Sequence, residues 1–239
     1  REVGQESMQN KKCDTLEAAL ERLTDDAIIL VGGFGIAGVP EILIEGVCDR
    51  GLRGLTIVAN NSGTHETGIA RLLAEGCVGK IICSFPWAVE SFVFKKMYEA
   101  GKVDLEVVPQ GTLAERLRTA GAGLGGFLTP TAVGTELGAG KPVHEIDGKE
   151  YVLERPLRGD FALIKAREVD GRGNLTYRMA ARNFNPVMAM AADYTIVEAA
   201  TEVPVGALDP ETIVTPGVFV DCYYVAGPYT PGKEGGPYS

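Results

Sequence analysis

The stretch Val31-Gly32-Gly33-Phe34-Gly35-Ile36-Ala37-Gly38-Val39-Pro40 joins an apolar strand to a helix. Residues 27–31 form a short β-branched run typical of a buried strand, and Pro40 stands where the first turn of a helix tolerates proline. Four glycines within seven residues allow sharp turns and leave backbone N–H groups open to a phosphate, a pyrophosphate or a pantetheine amide. The sequence therefore predicts a ligand-binding loop over residues 32–38, termed the glycine loop below.

The same strand-and-helix unit recurs after the glycine loop. Strands are predicted at residues 55–59, 80–84 and 105–109, and a short helix is predicted at 112–118. Strand starts lie about 23 to 28 residues apart, which is the length of one βα unit. Right-handed crossovers then predict an α/β fold, with a mainly parallel open sheet covered by helices on both faces.

The pattern changes in the second half of the chain. Residues 121–134 are rich in Gly, Pro and Thr and predict a flexible connection without an element of its own, whereas 143–153 predict a β-hairpin that turns at Asp147-Gly148. Further strands are predicted at 161–166 and 194–198, and a helix over 180–192 starts or breaks at Pro186. We expect one α/β domain over residues 13–226, with this added hairpin region and with flexible tails at 1–12 and 227–239.

Composition and charge exclude several classes of function. The chain has 239 residues and a net charge of −9, and no apolar run approaches the roughly 20 residues that a membrane-spanning helix needs. Its basic residues are scattered among acidic ones, so neither nucleic acid nor a membrane is an expected partner. The five cysteines form no C-x-x-C pair, and His65 and His144 lack partners at ligand spacing. No metal site is expected, and a reducing, cytoplasmic compartment is favoured.

The segment Gly33-x-Gly35-x-x-Gly38 also fits the dinucleotide fingerprint in its strand–turn–helix context. That fold uses an acidic side chain about 20 residues further on, at the end of the second strand, to hold a ribose hydroxyl. Here the second strand ends in Asn60-Asn61. An NAD-dependent oxidoreductase therefore stays an alternative of lower rank, as does a non-enzymatic subunit whose glycine loop only packs against a partner.

Several motifs resemble those of the family I coenzyme A transferases. The pattern Gly32-Gly33-Phe34-x-x-x-Gly38-x-Pro40 is similar to the glycine signature of that family. The resemblance continues in order through Pro109-Gln110-Gly111-Thr112, Gly159-Asp160-Phe161 and Gly173-Asn174-Leu175-Thr176-Tyr177-Arg178. It extends over about residues 16–220, and several separate motifs in the same order are more specific than one glycine-rich loop.

This resemblance implies the A (α) subunit of a 3-oxoacid coenzyme A transferase. Such an enzyme moves CoA from succinyl-CoA to a 3-oxoacid through a glutamyl-CoA thioester, with the CoA thioester as substrate and no permanently bound cofactor. In the family the nucleophilic glutamate lies in a Ser-Glu-Asn-Gly segment of the B subunit, and this sequence contains no such segment. The resemblance therefore implies a B-subunit partner, in an assembly of two A and two B chains, without which this chain is inactive.

The resemblance also implies site residues. Gln110 follows the fourth strand and matches the family glutamine associated with the oxyanion hole, which makes it the candidate catalytic donor. The expected CoA-binding residues are Gly32, Gly33, Phe34, Gly35, Ile36, Ala37 and Gly38. Asn60 and Asn61 could line the acyl pocket, or equally could cap their loop. Segments such as Ser84-Phe85-Pro86 are most similar to the 3-oxoadipate enzymes of aromatic catabolism, with acetoacetate or acetate as alternative acceptors.

Overall fold

The computed structural model describes residues 10–227. The strands are, in chain order, β1 (Ile28–Val31), β2 (Leu55–Asn61), β3 (Val78–Phe85), β4 (Asp104–Val107), β5 (Phe127–Thr129), β6 (Val143–Ile146), β7 (Lys149–Glu154), β8 (Gly159–Asp170), β9 (Leu175–Thr176), β10 (Ala192–Val203) and β11 (Cys222–Val225). The main sheet follows the order β11-β10-β8-β1-β2-β3-β4, and β9 pairs with the carboxyl-terminal part of β8. All pairs along the main path are parallel, and only β9 is antiparallel to its neighbour.

Helices cover both faces of this sheet. They are α1 (Leu16–Leu20), α2 (Glu41–Asp49), α3 (Ile69–Ala74), α4 (Phe92–Glu99), α5 (Gln110–Gly121) and α6 (Asn185–Ala191). Helices α1 to α4 pack on one face, where Leu43 and Leu72 belong to the same buried cluster as Ile57 of the sheet. Helices α5 and α6 pack on the other face through Leu113 and Met188. The predicted fold class, a mainly parallel sheet with helices on both faces, is confirmed.

Strand β1 lies at the centre of the sheet, between β2 and β8. The chain builds β1 to β4 towards one edge and then returns to place β8 on the other side of β1, so the strand order reverses at β1. In open α/β sheets, ligands bind at the carboxyl ends of the strands where such a reversal opens a crevice. The glycine loop follows β1 directly and therefore occupies this position.

A second, antiparallel sheet of order β5-β7-β6 stands beside the main one. The predicted hairpin is confirmed, with Asp147 (φ +51°) and Gly148 (φ +75°) in its two-residue turn. The prediction that residues 121–134 contain no element is wrong, because β5 lies within them and pairs with β7, Leu128 beside Leu153. This strand is stabilised by a partner about 25 residues away, which local composition does not report.

The domain includes residues that the sequence assigns to the leading tail. Lys12 pairs with Tyr223 of β11, and Lys11 Nζ donates to the carbonyls of Gly217 and Val220 at 2.6 Å each. The remainder of the two predicted tails, residues 1–9 and 228–239, lies outside the described residues. Between residues 10 and 227, no helix combines the length and apolarity needed to cross a membrane.

Candidate functional site

Gln110 and Asn60 meet at the carboxyl edge of the main sheet. Asn60 lies near the end of β2, two residues after Val58 and therefore on the same face of the sheet. Val58 belongs to the buried cluster that includes Leu113 of α5, so the Asn60 side chain faces the sheet surface that α5 covers. Gln110 is the first residue of α5, and its Nε2 donates to Oδ1 of Asn60 at 2.6 Å. Asn60 is buried, with 4% of its surface exposed. A primary amide carries two N–H donors, so this contact leaves Gln110 one donor for another group.

The two neighbouring asparagines have different contacts. Asn61 Oδ1 accepts from the backbone N–H of Gly63 at 2.9 Å, which is the loop-capping arrangement left open by the sequence. Ser84 lies beside Asn60, because Ala59 pairs with Cys83 and Asn61 with Phe85. The Ser84 hydroxyl is buried and has no hydrogen-bond partner among the described residues. Asn60, Ser84 and Gln110 thus form a polar group at the end of β2 and β3.

The tip of the glycine loop is an open turn. Phe34 and Ala37 exchange two backbone hydrogen bonds, of 3.0 and 3.1 Å, and enclose Gly35 and Ile36. Gly35 has φ +60°, and an added Cβ there would meet nothing within 4 Å. The side chains of Phe34 and Ile36 are about half exposed. The tip therefore presents two apolar side chains together with the amides of Gly35 and Ile36, which donate to no acceptor in residues 10–227.

The base of the glycine loop is closely packed. An added Cβ would lie 2.6 Å from Val39 Cγ2 at Gly33 and 2.5 Å from the Ala181 carbonyl oxygen at Gly38. Both glycines also have positive φ, +122° and +71°. At Gly32, where φ is ordinary, the Cβ would lie 1.9 Å from Oδ1 of Asn185. Sequence reasoning missed Asn185, because an asparagine before a proline at a helix start is common and says nothing of a contact about 150 positions away.

A buried charge cluster holds the helix that follows the loop. Glu198 of β10 accepts from the backbone N–H groups of Ile42 and Leu43 at 2.8 and 3.3 Å, in the first turn of α2. Its other oxygen lies 2.9 Å from Lys165 Nζ of β8. A carboxylate at a helix N-terminus is favoured by both the free N–H groups and the helix dipole. Burial, and then the neighbouring Glu198 charge, raise the pKa of Glu41 in the same turn.

Two hollows open beside the start of α5. One of about 420 Å³ lies between α5 and β5 and is lined by Gly111, Glu115 and Phe127 among others. The second, of about 460 Å³, is lined largely by residues 132–137. Pro109 lines both and directly precedes Gln110. The small sheet and the connection expected to be without structure therefore form the walls of a concave surface next to Gln110.

Other glutamate and cysteine side chains of the chain differ in exposure and contacts. Glu115 is held by Arg118, whose Nε lies 2.9 and 3.0 Å from its two carboxylate oxygens. Burial raises the pKa of Cys83 to about 12, so this thiol stays protonated at neutral pH. Glu66 and Glu90 are exposed in loops. Over residues 10–227 no group of three or more His, Cys, Asp or Glu side chains could hold a metal ion.

Comparisons with known proteins identify the family of the chain. The family profile described as coenzyme A transferase matches residues 13–224. The chain is 55% identical to the A subunit of the 3-oxoadipate CoA-transferase of Pseudomonas putida, over 89% of this chain and 92% of that protein. It is 47% identical to the alpha subunit of the acetate CoA-transferase of Escherichia coli, over 88% and 94% respectively. The crystal structure of glutaconate coenzyme A-transferase from Acidaminococcus fermentans superposes with a TM-score of 0.79 at 21% identity, covering 91% of this chain and 76% of that one.

Proposed function

The chain belongs to the coenzyme A transferase family, and from this we propose that it is the A subunit of an enzyme that moves CoA from succinyl-CoA to a 3-oxoacid, preferably 3-oxoadipate. The observation that carries the proposal is the 55% identity, over nearly the full length of both chains, to a protein named as the A subunit of a 3-oxoadipate CoA-transferase. The family match leaves the nicotinamide alternative without support.

In this proposal Gln110 stabilises charge on the reacting acyl group. Each half-reaction begins with attack on an acyl carbonyl, which places negative charge on the carbonyl oxygen, and one preorganised donor at such an oxygen contributes roughly 3 kcal/mol to catalysis. Gln110 Nε2 has one N–H engaged by Asn60 and one free. Because Asn60 is buried and holds the amide, the free N–H is preorganised rather than mobile.

The nucleophile of the reaction is proposed to come from a B subunit. Two carboxylates of this chain are engaged or largely buried: Glu115 is paired with Arg118, and Glu41 lies at the start of α2. Glu198 is held by Lys165 and by α2. A glutamate of the partner would attack the thioester carbonyl, breaking the C–S bond and giving a mixed anhydride and free CoA thiolate. The thiolate would then attack the glutamyl carbonyl, which releases succinate and leaves glutamyl-CoA. The 3-oxoacid carboxylate would attack this thioester in the same way, and return of the thiolate to the 3-oxoacyl carbonyl would free the glutamate. We propose an assembly of two A and two B chains in the cytoplasm, where the five cysteines stay free thiols.

The glycine loop is proposed to bind CoA, which acts as a substrate and not as a resident cofactor. Its open tip offers the amides of Gly35 and Ile36 as donors to the pantetheine or phosphate oxygens. The half-exposed side chains of Phe34 and Ile36 add an apolar surface beside those donors. A ligand with alternating amide and methylene groups matches such a surface.

One observation favours a second acceptor. 3-Oxoadipate carries a distal carboxylate, for which a cation is the usual partner. After β3, however, Trp87 packs against Phe94 and Tyr98 with ring centroids 5.2 and 5.3 Å apart, and Trp87-Ala88-Val89 supplies no cation. This apolar surface fits acetoacetate or acetate, so the acceptor is tested directly by comparing kcat/KM for 3-oxoadipate, acetoacetate and acetate.

The proposal is tested by reconstitution with a B subunit that contains Ser-Glu-Asn-Gly. We expect the purified chain to be inactive and the pair to transfer CoA, with a borohydride-reducible enzyme–CoA thioester on the partner alone. CoA transfer by this chain without a partner, or an active pair with the thioester on this chain, would refute the division of roles. A pair that transfers no CoA between any of the acids named above would refute the activity.

A further inference from the structure

One buried asparagine connects the glycine loop to two other parts of the fold. Asn185, at the start of α6, is fully buried. Its Oδ1 accepts from the backbone N–H of Lys165 at 2.9 Å, and its Nδ2 donates to the carbonyl oxygens of Ala181 and Gly38 at 2.8 and 3.1 Å. A single amide therefore links β8, the turn before α6 and the end of the glycine loop.

The same amide touches both ends of the loop. An added Cβ at Gly32 would lie 1.9 Å from Asn185 Oδ1, and one at Gly38 would lie 2.8 Å from Asn185 Nδ2. The first and last glycines of the loop are therefore required partly because the Asn185 side chain fills the space between them. Only residues without a Cβ can approach a buried side chain so closely.

A second asparagine holds the open turn itself. Asn183 Nδ2 donates to the Ala37 carbonyl oxygen at 2.9 Å and to that of Ala180 at 2.8 Å. Ala37 is one of the two residues whose backbone closes the turn around Gly35 and Ile36. Asn183 is partly exposed, in contrast to Asn185, so its side chain is not a part of the core.

We propose that Asn183 and Asn185 are positioning residues that hold the glycine loop in its ligand-binding conformation. The inference rests on the proposed function, in which this loop binds CoA. Glycines lose more backbone entropy on ordering than any other residue, so a loop with four of them binds tightly only if the fold has already ordered it. Loss of this ordering weakens ground-state and transition-state binding of CoA equally, which raises KM and leaves kcat unchanged.

The primary test uses Asn183→Ala in the reconstituted enzyme. Because this substitution removes one neutral hydrogen bond to the loop, KM for the CoA thioester should rise roughly 3- to 10-fold. The KM for the acid acceptor and kcat should not change. Asn183→Asp keeps an acceptor for the Phe184 N–H but places an oxygen against the two carbonyls, so it should raise KM at least as much. Asn185→Asp, which keeps only the bond from the Lys165 N–H, should raise KM further.

Asn174→Ala is the matched control. Asn174 donates to Asp170 Oδ2 and accepts from the Gly217 N–H at 2.9 Å each, so its loss removes comparable hydrogen bonds without touching the glycine loop. It should destabilise the chain and leave KM for the CoA thioester unchanged. Equal KM effects in Asn174→Ala and Asn183→Ala, or a fall in kcat alone in Asn183→Ala, would overturn the proposal.

A second measurement separates this inference from the proposed function. Hydrogen exchange of the unliganded chain should be faster at residues 33–39 in Asn183→Ala than in the wild type, with exchange elsewhere unchanged, whether or not the assembly transfers CoA. Unchanged exchange over these residues would show that the loop orders itself, and the positioning role would then be wrong even for an active enzyme.

Discussion

Gly32→Ala gives the clearest test of the contact between the glycine loop and Asn185. Gly32 has ordinary φ, so the backbone accepts alanine and the cost comes only from the new Cβ, 1.9 Å from Asn185 Oδ1 and 2.7 Å from its Cγ. Asn185 is fully buried and bonded at both ends of its amide, so it moves only by giving up a bond to Lys165 or Gly38. An unsatisfied buried hydrogen-bonding group lowers the free energy of unfolding by about 1–3 kcal/mol, and overpacking lowers it by about the same amount again.

We therefore expect Gly32→Ala to lower the free energy of unfolding by about 4 kcal/mol, which corresponds to a fall in Tm of roughly 8–16 °C for a chain of this size. Gly35→Ala is the matched control, because Gly35 has φ +60° and open space around its Cβ position, so only left-handed strain of about 1–2 kcal/mol applies. Thermal unfolding of both variants, followed by circular dichroism, compares the two costs. A Tm loss in Gly35→Ala that equals or exceeds that of Gly32→Ala would refute the reasoning, as would an undiminished cost of Gly32→Ala in an Asn185→Ala background.

The site and the core yield three more predictions. Gln110→Ala in the reconstituted enzyme should lower kcat about 100- to 1000-fold without changing KM for the CoA thioester, measured by steady-state kinetics, and an unchanged kcat would exclude an oxyanion role. Burial, together with the Glu198 charge, raises the pKa of Glu41, so ionisation of Glu41 opposes folding, and Glu41→Gln should raise Tm at pH 7.5. The gain in Tm should disappear as the pH falls below 4.5, the ordinary pKa of the group, and a gain that persists at low pH would indicate a packing effect instead. Burial, complete at Cys83 and partial at Cys48, raises the pKa of both thiols to about 12. Iodoacetamide at pH 8 should therefore label them slowly in the native chain and fully in urea, as counted by mass spectrometry, and rapid native labelling would contradict the raised pKa values.

The sequence predicts well those strands and turns that a short local pattern specifies, such as an apolar run or a turn dipeptide. Residues 55–59 are an apolar run and form most of β2, and Asp147-Gly148 favours the turn that it adopts. Strand β10 extends to Val203, beyond the predicted end at 198, because it pairs with β8 over its whole length. Strand β5 was missed for a similar reason. In both cases the strand is stabilised by pairing with a strand distant in sequence, and the local hydrophobic pattern contains no information on that pairing.

The same limit applies to the candidate site. Gln110 and Asn60 were each identified at a strand end, and parallel strands bring such ends to one edge, yet their hydrogen bond depends on which face each side chain takes. The roles of Lys165 and Glu198 were not visible, since a charged residue inside a predicted strand is ordinarily placed on a solvated face. Both are instead directed under the first turn of α2, where the exposed fractions of the two side chains are 20% and 3%.

The hydrogen bonds that hold Gln110 and those that hold the glycine loop involve different side chains. Gln110 is held by Asn60 from β2, whereas the glycine loop is held by Asn183 and Asn185. The start of α2, which follows the loop, is held by the Lys165–Glu198 pair from the other side of β1. Among residues 10–227 no side chain takes part in hydrogen bonds of both sets. The two sets are connected through packing, since α5, which begins with Gln110, packs against α6, which begins with Asn185. Because the two sets share no hydrogen-bonding side chain, we expect substitutions at Asn60 to act mainly on the proposed charge stabilisation by Gln110, and substitutions at Asn183 to act mainly on the proposed binding of CoA by the loop.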